Sequence, residues 1–578
     1  LVQGKPFVDE ILITGTEQIA DTRVRREITS KVGEALSEQK IEEDRQRILK
    51  LYQDRNYTDV DVKTVIKENA KTNRAGVTFE ISEGPKLIVR DIEFVGNDSV
   101  LARDLEKAMV TKRRNLLYFF NKSGGLLPNQ VAEDKAALRS LYQNRGFADA
   151  QIVDYQTQRL DDGAGVRVIV SIKEGIQYRV NKITFDGYAA MTENQLRELL
   201  TMGDGALYTP NGLNADIKAM RDLYGTEGYV DLMILPEVLP AGPGSVDINY
   251  RLDEGVQSYV NLINIQGNTK TKDRVLRREI VMKPGEVFDT TLMDVSRERL
   301  QNLNYFSRVE TVPQDTLVPG RKDLNVIVEE KRTGSFNFGA GFSTIDSLVG
   351  FAEIQQTNFD LFNWPRFTGA GQRFRIRGQY GIERSDFVIA FTEPYFLGYK
   401  LSFGVEGFYR EANFLSPVYD LRNYGAAFQF RKPITNFLAA RAEYRIEGIE
   451  IFDVDNASAG PQIQDAAGTY TRSAVMGALT WDSRDSLFLT RKGSFVEMTG
   501  FVAGGGLGGS VQDYGISIEA SKYYTPIWDL IFLLKGQLAV VDSWGGSDDV
   551  PLFDRLYLGG AINMRGFDFR EVGPKDKY

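Results

Sequence analysis

The sequence of 578 residues contains no cysteine and no histidine. The first absence excludes disulfides and thiol chemistry, the second excludes imidazole catalysis, and together they remove nearly every transition-metal site. A chain without cysteine suits an oxidising envelope compartment, where stray thiols would crosslink. An excess of charge of one sign is also lacking: 70 Lys and Arg against 79 Asp and Glu leave a net charge of -9. With no basic block, a nucleic-acid partner is not expected. Catalysis would fall to carboxylates, and no paired-carboxylate spacing stands out. No catalytic residue, metal site or cofactor is therefore assigned. Long hydrophobic runs are missing too: nothing approaches the ~20 apolar residues of a membrane helix, and the mean hydropathy is -0.28. That excludes membrane helices but not membrane strands, which hide their apolar residues in alternation. No signal sequence stands at Leu1, so a mature or trimmed chain is expected.

What is present is a repeat. Four times an alternating strand ends in Gly: Ile11–Gly15, Ile92–Gly96, Ile183–Gly187 and Ile263–Gly267. Two helix-like stretches follow each. The second ends in an aromatic pair, Tyr52 and Tyr57, Tyr142 and Phe147, Tyr224 and Tyr229; the fourth copy has the looser Leu300, Tyr305 and Phe306. Three copies close on an acidic-Gly turn, Glu83-Gly84, Glu174-Gly175 and Glu254-Gly255; the fourth closes on Glu329-Glu330-Lys331 and stops at Gly334. In the second copy Val131, Leu138, Leu141 and Tyr142 recur at helical spacing, with Glu133, Asp134, Lys135 and Arg139 elsewhere. Repeats of this period mean an array of small modules. Each reads strand, helix, helix, strand, strand: a small sheet covered on one face. One edge of it is expected to be free, and spacing leaves two readings open, a rigid spacer or an edge that accepts a strand from another chain.

From about residue 334 the period changes to two. In Arg373–Tyr380, Arg, Arg, Arg and Gln oppose Phe, Ile, Gly and Tyr. Leu438, Ala440, Ala442, Tyr444 and Ile446 oppose Arg441, Glu443, Arg445 and Glu447, and Ile516 and Ile518 oppose Ser517 and Glu519. A soluble sandwich would also alternate. Charges of both signs on the polar faces, aromatics at strand ends (Tyr395-Phe396, Tyr523-Tyr524, Trp528) and turns alternating between short and long favour a membrane barrel. Eleven strands are expected, starting near residues 335, 347, 372, 385, 399, 420, 436, 469, 493, 511 and 530. Glu443, Glu447 and Glu519 are candidates to face the lumen, and Asp482, Arg484 and Asp485 read as a mid-barrel turn. An open sheet of eleven strands would leave bare edges in lipid, so about five further strands of a 16-stranded barrel are expected beyond this chain. Strand parity sets the repeats on the side of the first strand's start and the terminal segment 543–578 on the opposite side.

The terminal segment carries Gly559-Gly560 and then Met564-Arg565-Gly566-Phe567. Gly-Gly followed by an Arg-Gly-Phe tip, after tandem repeats of this kind, resembles the Omp85 superfamily, whose lid loop carries a (Val/Ile)-Arg-Gly-Phe motif; Met564 is a mild departure. The repeats look like POTRA (polypeptide-transport-associated) domains. Thr333–Gly341, Asn358-Phe359 with Gly369-Ala370-Gly371, and Trp481–Asp485 with Lys492-Gly493 are similar to that family's junction and turn motifs. The resemblance implies tandem α+β POTRA domains (β-α-α-β-β) at 5–86, 87–177, 178–256 and 257–333, looking like the second to fifth of five, with a first expected ahead of them. The insert Arg113–Pro128 fits the third. An antiparallel transmembrane β-barrel at 334–578 follows, with eleven of an expected 16 strands.

The resemblance further implies assembly and insertion of β-barrel proteins into the bacterial outer membrane, without cofactor. The repeats would lie in the periplasm. The partners would be unfolded outer-membrane proteins, accessory periplasmic lipoproteins and outer-membrane lipid. Strand one, with Phe336, Phe338, Gly339 and Gly341, would form a weak seam, because glycine weakens packing and register; the bland alternative is that Gly339 and Gly341 only accommodate close contacts. The lid's Arg565 would pair with carboxylates of the wall. A rival function is a protein-translocation pore of the same superfamily, of the two-partner-secretion or TamA-like kind; another is a passive porin.

Overall fold

In each repeat the first strand must run parallel to the last, and the two helices between them supply the crossover that parallel pairing needs. The structure, a computed structural model, describes residues 5–57, 59–69, 72–114, 124–125, 128–160, 165–343, 347–413, 416, 418–527, 529–545, 549–560, 563–567 and 570–573. Most of the insert at 113–128, Trp528, and Ala561 and Ile562 of the terminal loop lie outside the described residues.

The first repeat contains β1 (Phe7–Thr14), helices Asp21–Arg25 and Glu38–Gln53, β2 (Asp61–Asn69) and β3 (Arg74–Ser82), in sheet order β1-β3-β2. The same order recurs in β4 (Ile88–Val95), β5 (Gln151–Arg159) and β6 (Gly165–Lys173), and in β7 (Arg179–Asp186), β8 (Met233–Gly242) and β9 (Ser245–Asp253). It recurs again in β10 (Tyr259–Gln266), β11 (Phe306–Asp315) and β12 (Arg321–Glu330). The central strand alternates, so one face is buried: Val77, Phe79 and Ile81 in the first repeat, Val166, Val168 and Val170 in the second. Helix residues such as Ile48 and Tyr52 cover that face.

The residues that mark the repeat have a shared cause. Gly15, Gly96, Gly187 and Gly267 all have φ between +81° and +91°. A Cβ on any of them would stand 1.9–2.3 Å from the carbonyl oxygen of Ile81, Ile172, Leu252 or Val328. Only glycine turns left-handed there and still lets the next strand approach. The acidic residue of the closing turn reaches back to this corner. Glu83 accepts from Gln18 N at 2.7 Å, Glu174 from Ser99 N at 3.0 Å, Glu254 from Ala189 N at 2.8 Å and Glu330 from Thr271 N at 2.6 Å. In three repeats the first aromatic of the pair donates its hydroxyl to the same carboxylate: Tyr52 at 2.7 Å, Tyr142 at 2.9 Å and Tyr224 at 2.6 Å. Burial, reinforced by the neighbouring carboxylate, pushes each of these hydroxyl pKa values up. The partner ring packs edge-on, with centroids 5.7–6.0 Å apart.

One residue in the second helix corrects the sequence reading. Asp134, set apart from the apolar positions of that helix, stands on the same face as Val131 and Leu138 and is fully buried. It accepts from Val110 N at 2.6 Å, closing the end of the first helix. Asp44 and Asp216 do the same for Thr29 N at 2.8 Å and Thr201 N at 2.6 Å. In the fourth repeat Ser296 takes this place, its hydroxyl accepting from Val281 N at 2.9 Å. A buried carboxylate is tolerated where backbone donors satisfy it.

The C-terminal region is one antiparallel sheet whose strands pair strictly in chain order. They are β13 (Gly334–Ser343), β14 (Ser347–Phe359), β15 (Gln372–Gly381), β16 (Arg384–Glu393), β17 (Ser402–Ala412), β18 (Asp420–Pro433), β19 (Leu438–Phe452), β20 (Gly468–Asp482), β21 (Gly493–Ala503), β22 (Asp513–Tyr524) and β23 (Phe532–Ser543). The shortest has 10 residues, enough to cross a bilayer when tilted. No helix among the described residues is long and apolar enough to cross a membrane, which says nothing of strands.

The turns do not follow the expected alternation of length. Turns on the side where β13 starts include 360–371 and 483–492, while 382–383 on the other side is short. The first long turn has a structural reason: it docks on the fourth repeat. Lys272 N donates to Gly369 O at 2.8 Å, and Asn358 donates to Thr271 Oγ1 at 2.9 Å. The chain divides between Gln257 and Ser258 into two compact units, so the fourth repeat belongs with the sheet and the first three stand together.

Candidate functional site

The three features that could act on another chain are the open edges of the repeat sheets, the first strand of the large sheet, and the terminal loop. In the first, third and fourth repeats the start of the first strand is partly covered, as Phe7 bridges Ala35, Arg179 bridges Leu207 and Tyr259 bridges Val287. The other edge, formed by β2, β5, β8 and β11, has no neighbouring strand among the described residues. Pro236 and Pro240 blunt β8 and Pro313 blunts β11, because proline withholds a ladder donor. Strands β2 and β5 carry no proline.

Strand β13 is an edge of the large sheet. It pairs with β14 without a bulge from Gly334↔Gln356 to Ser343↔Ser347. Phe336, Phe338 and Phe342 stand on one face and are exposed, Phe338 by 77%. The same face continues into Leu348 and Ile354 on β14. Gly339 and Gly341 lie on the opposite face and differ in kind. A Cβ on Gly339 would stand 2.9 Å from the Phe351 ring, whereas around Gly341 the space is open. Gly339 thus accommodates a neighbour, while Gly341 leaves a gap in packing.

The face opposite the apolar one holds charges in pairs. Arg445 donates to Glu443 at 2.8 Å, Arg472 lies 3.3 Å from Glu447, and Lys535 lies 2.8 Å from Glu519. Glu443 and Glu447 are buried. In the mid-sheet turn Arg484 grips Asp482 through two bonds of 2.8 and 2.7 Å. Asp485 accepts from Arg491 N and Lys492 N at 3.0 and 3.2 Å.

The terminal loop closes on itself at the Gly-Gly motif. Gly560 N donates to Phe567 O and Gly559 N to Asn563 Oδ1, each at 2.9 Å. Met564, Arg565, Gly566 and Phe567 are exposed at its tip. Sequence reasoning missed what ties the base of the loop to the sheet. Arg472 on β20 lies 3.5 Å from Asp554 of the loop, 3.9 Å from Asp513 on β22 and 3.3 Å from Glu447. Leu552 packs with Tyr419 and Ile451, and Phe553 packs edge-on against Tyr470. Alternation places Arg472 on the polar face opposite Glu447 of the paired strand, but no local pattern shows that Asp513 of β22 and Asp554 of the terminal loop also reach it.

The junction between the fourth repeat and the sheet is a fourth cluster. Lys272 pairs with the buried Asp360 at 2.5 Å. Arg278 stacks 4.1 Å over the Tyr395 ring, whose hydroxyl donates to Glu279 at 3.2 Å. Tyr395, read from the sequence as part of an interfacial aromatic belt, is therefore a docking residue. Tyr305 donates to Thr357 O at 2.9 Å. It is the aromatic of the looser fourth pair, and it has turned to the sheet.

Comparison with known proteins agrees with this architecture. The POTRA family model, described as "Surface antigen variable number repeat", matches residues 6–84, 87–175, 178–255 and 258–331, more than half the chain. The Omp85 superfamily domain model matches residues 366–578. The outer membrane protein assembly factor BamA of Nitratidesulfovibrio vulgaris is 26% identical over 586 residues, covering 100% of this chain and 72% of the relative. BamA of Neisseria meningitidis is 25% identical, covering 99% and 74%. The human sorting and assembly machinery component 50 homolog is 25% identical, covering 55% and 66%. The crystal structure of Haemophilus ducreyi BamA lacking POTRA domains 1–3 superposes with a TM-score of 0.57 at 22% identity, covering 69% of this chain and 77% of that one, a likeness of fold. Four POTRA repeats running directly into an antiparallel Omp85 sheet make this chain a member of the Omp85 superfamily.

Proposed function

We propose that this chain assembles and inserts β-barrel proteins into the bacterial outer membrane, with its POTRA repeats in the periplasm. The observation that carries the reading is the direct joining of an array of open-edged sheets to a large sheet whose first strand is itself an edge with an apolar face. Relatives matching it over its whole length bear the name of outer membrane protein assembly factor. An unfolded barrel cannot leave backbone groups unpaired in lipid, where each costs several kcal/mol. Strands β2 and β5 offer the unblunted edges on which an arriving segment can add. Strand β13 then lends its own edge as a template, and the gap at Gly341 makes its pairing easier to part. The four repeats correspond to the second to fifth of the family, and accessory periplasmic lipoproteins hold the array. The terminal loop carrying Gly559, Gly560 and the Met564–Phe567 tip acts as the lid, over a lumen lined by Glu443, Glu447 and Glu519. Folding free energy of the substrate drives the process, and no catalytic residue is assigned.

Reconstitution in phospholipid vesicles tests the reading. The protein should speed conversion of a urea-unfolded outer-membrane barrel to its heat-resistant form. Export of a soluble passenger without that acceleration would support a translocation pore instead. Because the chain has no cysteine, a disulfide can be placed between β13 and the strand facing its free edge in the membrane. Locking it should abolish substrate assembly until reductant is added; undiminished assembly with the lock closed would refute the seam.

A further inference from the structure

A cleft of about 580 Å³ opens where the fourth repeat meets the first two strands of the sheet. Four cations line it: Lys270, Lys331, Arg332 and Arg366. Its carboxylate, Glu330, is already engaged, accepting from Thr269 Oγ1, Lys270 N and Thr271 N at 2.9, 2.9 and 2.6 Å. Lys331 donates to Asn304 at 2.6 Å. Among the described residues no carboxylate lies within ion-pair distance of Lys270, Arg332 or Arg366. In a chain of net charge -9, four cations converging around one carboxylate that is already held by its own donors mark a place for an anion.

The surroundings specify which anion. Arg366 belongs to the turn 360–371, which also carries Phe362 and Trp364, exposed by 87% and 79%. Phe336 and Phe338 are exposed on the adjoining strand. The cleft therefore lies where an apolar surface gives way to charge, and aromatic side chains favour that level of a bilayer. Free phosphate would satisfy the cations but leave the aromatics in water. We propose that the cleft binds the phosphate of an anionic phospholipid headgroup, with the acyl chains passing to the apolar surface of Phe362 and Trp364. Gly334 and Gln356, the first pair of the β13–β14 ladder, also line the cleft, so the bound lipid sits at the root of strand one. The inference rests on reading the large sheet as membrane-spanning.

The test uses the whole chain in phosphatidylcholine nanodiscs with phosphatidylglycerol titrated in, read by native mass spectrometry after detergent release. The wild type should retain phosphatidylglycerol selectively. Replacing Arg332 and Arg366 by Gln should weaken retention about fivefold for each cation removed and roughly thirtyfold for both. Arg332→Lys with Arg366→Lys should keep most of it, and Lys218→Gln in the third repeat should change nothing. Heat-modifiability in vesicles reports insertion separately. A chain that fails to insert overturns the membrane reading beneath this inference. A chain that inserts but retains lipid equally with or without the two arginines overturns this inference alone. Full displacement by inorganic phosphate would assign a phosphate site, and displacement by an unfolded outer-membrane polypeptide would assign a substrate site; either overturns the lipid.

Discussion

Gly187 shows how a single residue is chosen. Its φ of +81° and the Leu252 carbonyl, 2.2 Å from where a Cβ would stand, both exclude a side chain. Gly187→Ala should cost about 2 kcal/mol or more, read as lost hydrogen-exchange protection in β7 and β9 with the other repeats unchanged. Arg472 is the counterpart in the large sheet. Arg472→Ala strands Glu447, Asp513 and Asp554 without their cation, and removing one partner of a buried pair costs about 3–5 kcal/mol. The base of the terminal loop should become protease-sensitive. Arg565→Ala at the exposed tip should leave that base protected while lowering assembly activity.

At the level of the element, the loop after β10 hangs on one carboxylate. Burial raises the pKa of Glu330, but donors from Thr271, Thr269 and Lys270 outweigh it and hold the group below its ordinary value of 4.5. A depressed folded-state pKa contributes stability that is present above that ordinary value and is lost as pH falls through the folded-state pKa. Protection of residues 269–272 against exchange should therefore fall below about pH 4.5. Glu330→Gln should have lower protection at neutral pH and lose this pH dependence; an unaltered pH profile in that variant would remove the role assigned to Glu330. The repeat's signatures were readable from sequence because each belongs to one local corner, the Gly recurring four times and the Tyr–Glu contact three times. Asp134 was misread because of its charge: it stands three residues after Val131 and four before Leu138, on the apolar face, where donors from Val110 N, Thr111 N and the Tyr155 hydroxyl make its burial tolerable.

For the molecule as a whole, the fourth repeat is a mount for the sheet. Tyr305 of the looser aromatic pair, with Lys272 and Arg278, binds the repeat to the sheet and its turns. Tyr305→Phe combined with Asp360→Asn should loosen residues 269–279 and 357–371 together, read by hydrogen exchange. Loosening of one segment without the other would show that the junction does not act as a unit. Eleven strand starts, read from a period of two, fall within three residues of those observed, because a sheet exposed to different media on its two faces writes its register into every strand. The sequence alone therefore determined the modules, their order and the two-faced sheet, all of which follow from local periodicity and backbone geometry. Tertiary structure decided which turn docks, which carboxylates meet Arg472 and where unpaired cations gather, because those contacts join residues whose separation along the chain leaves no periodic trace.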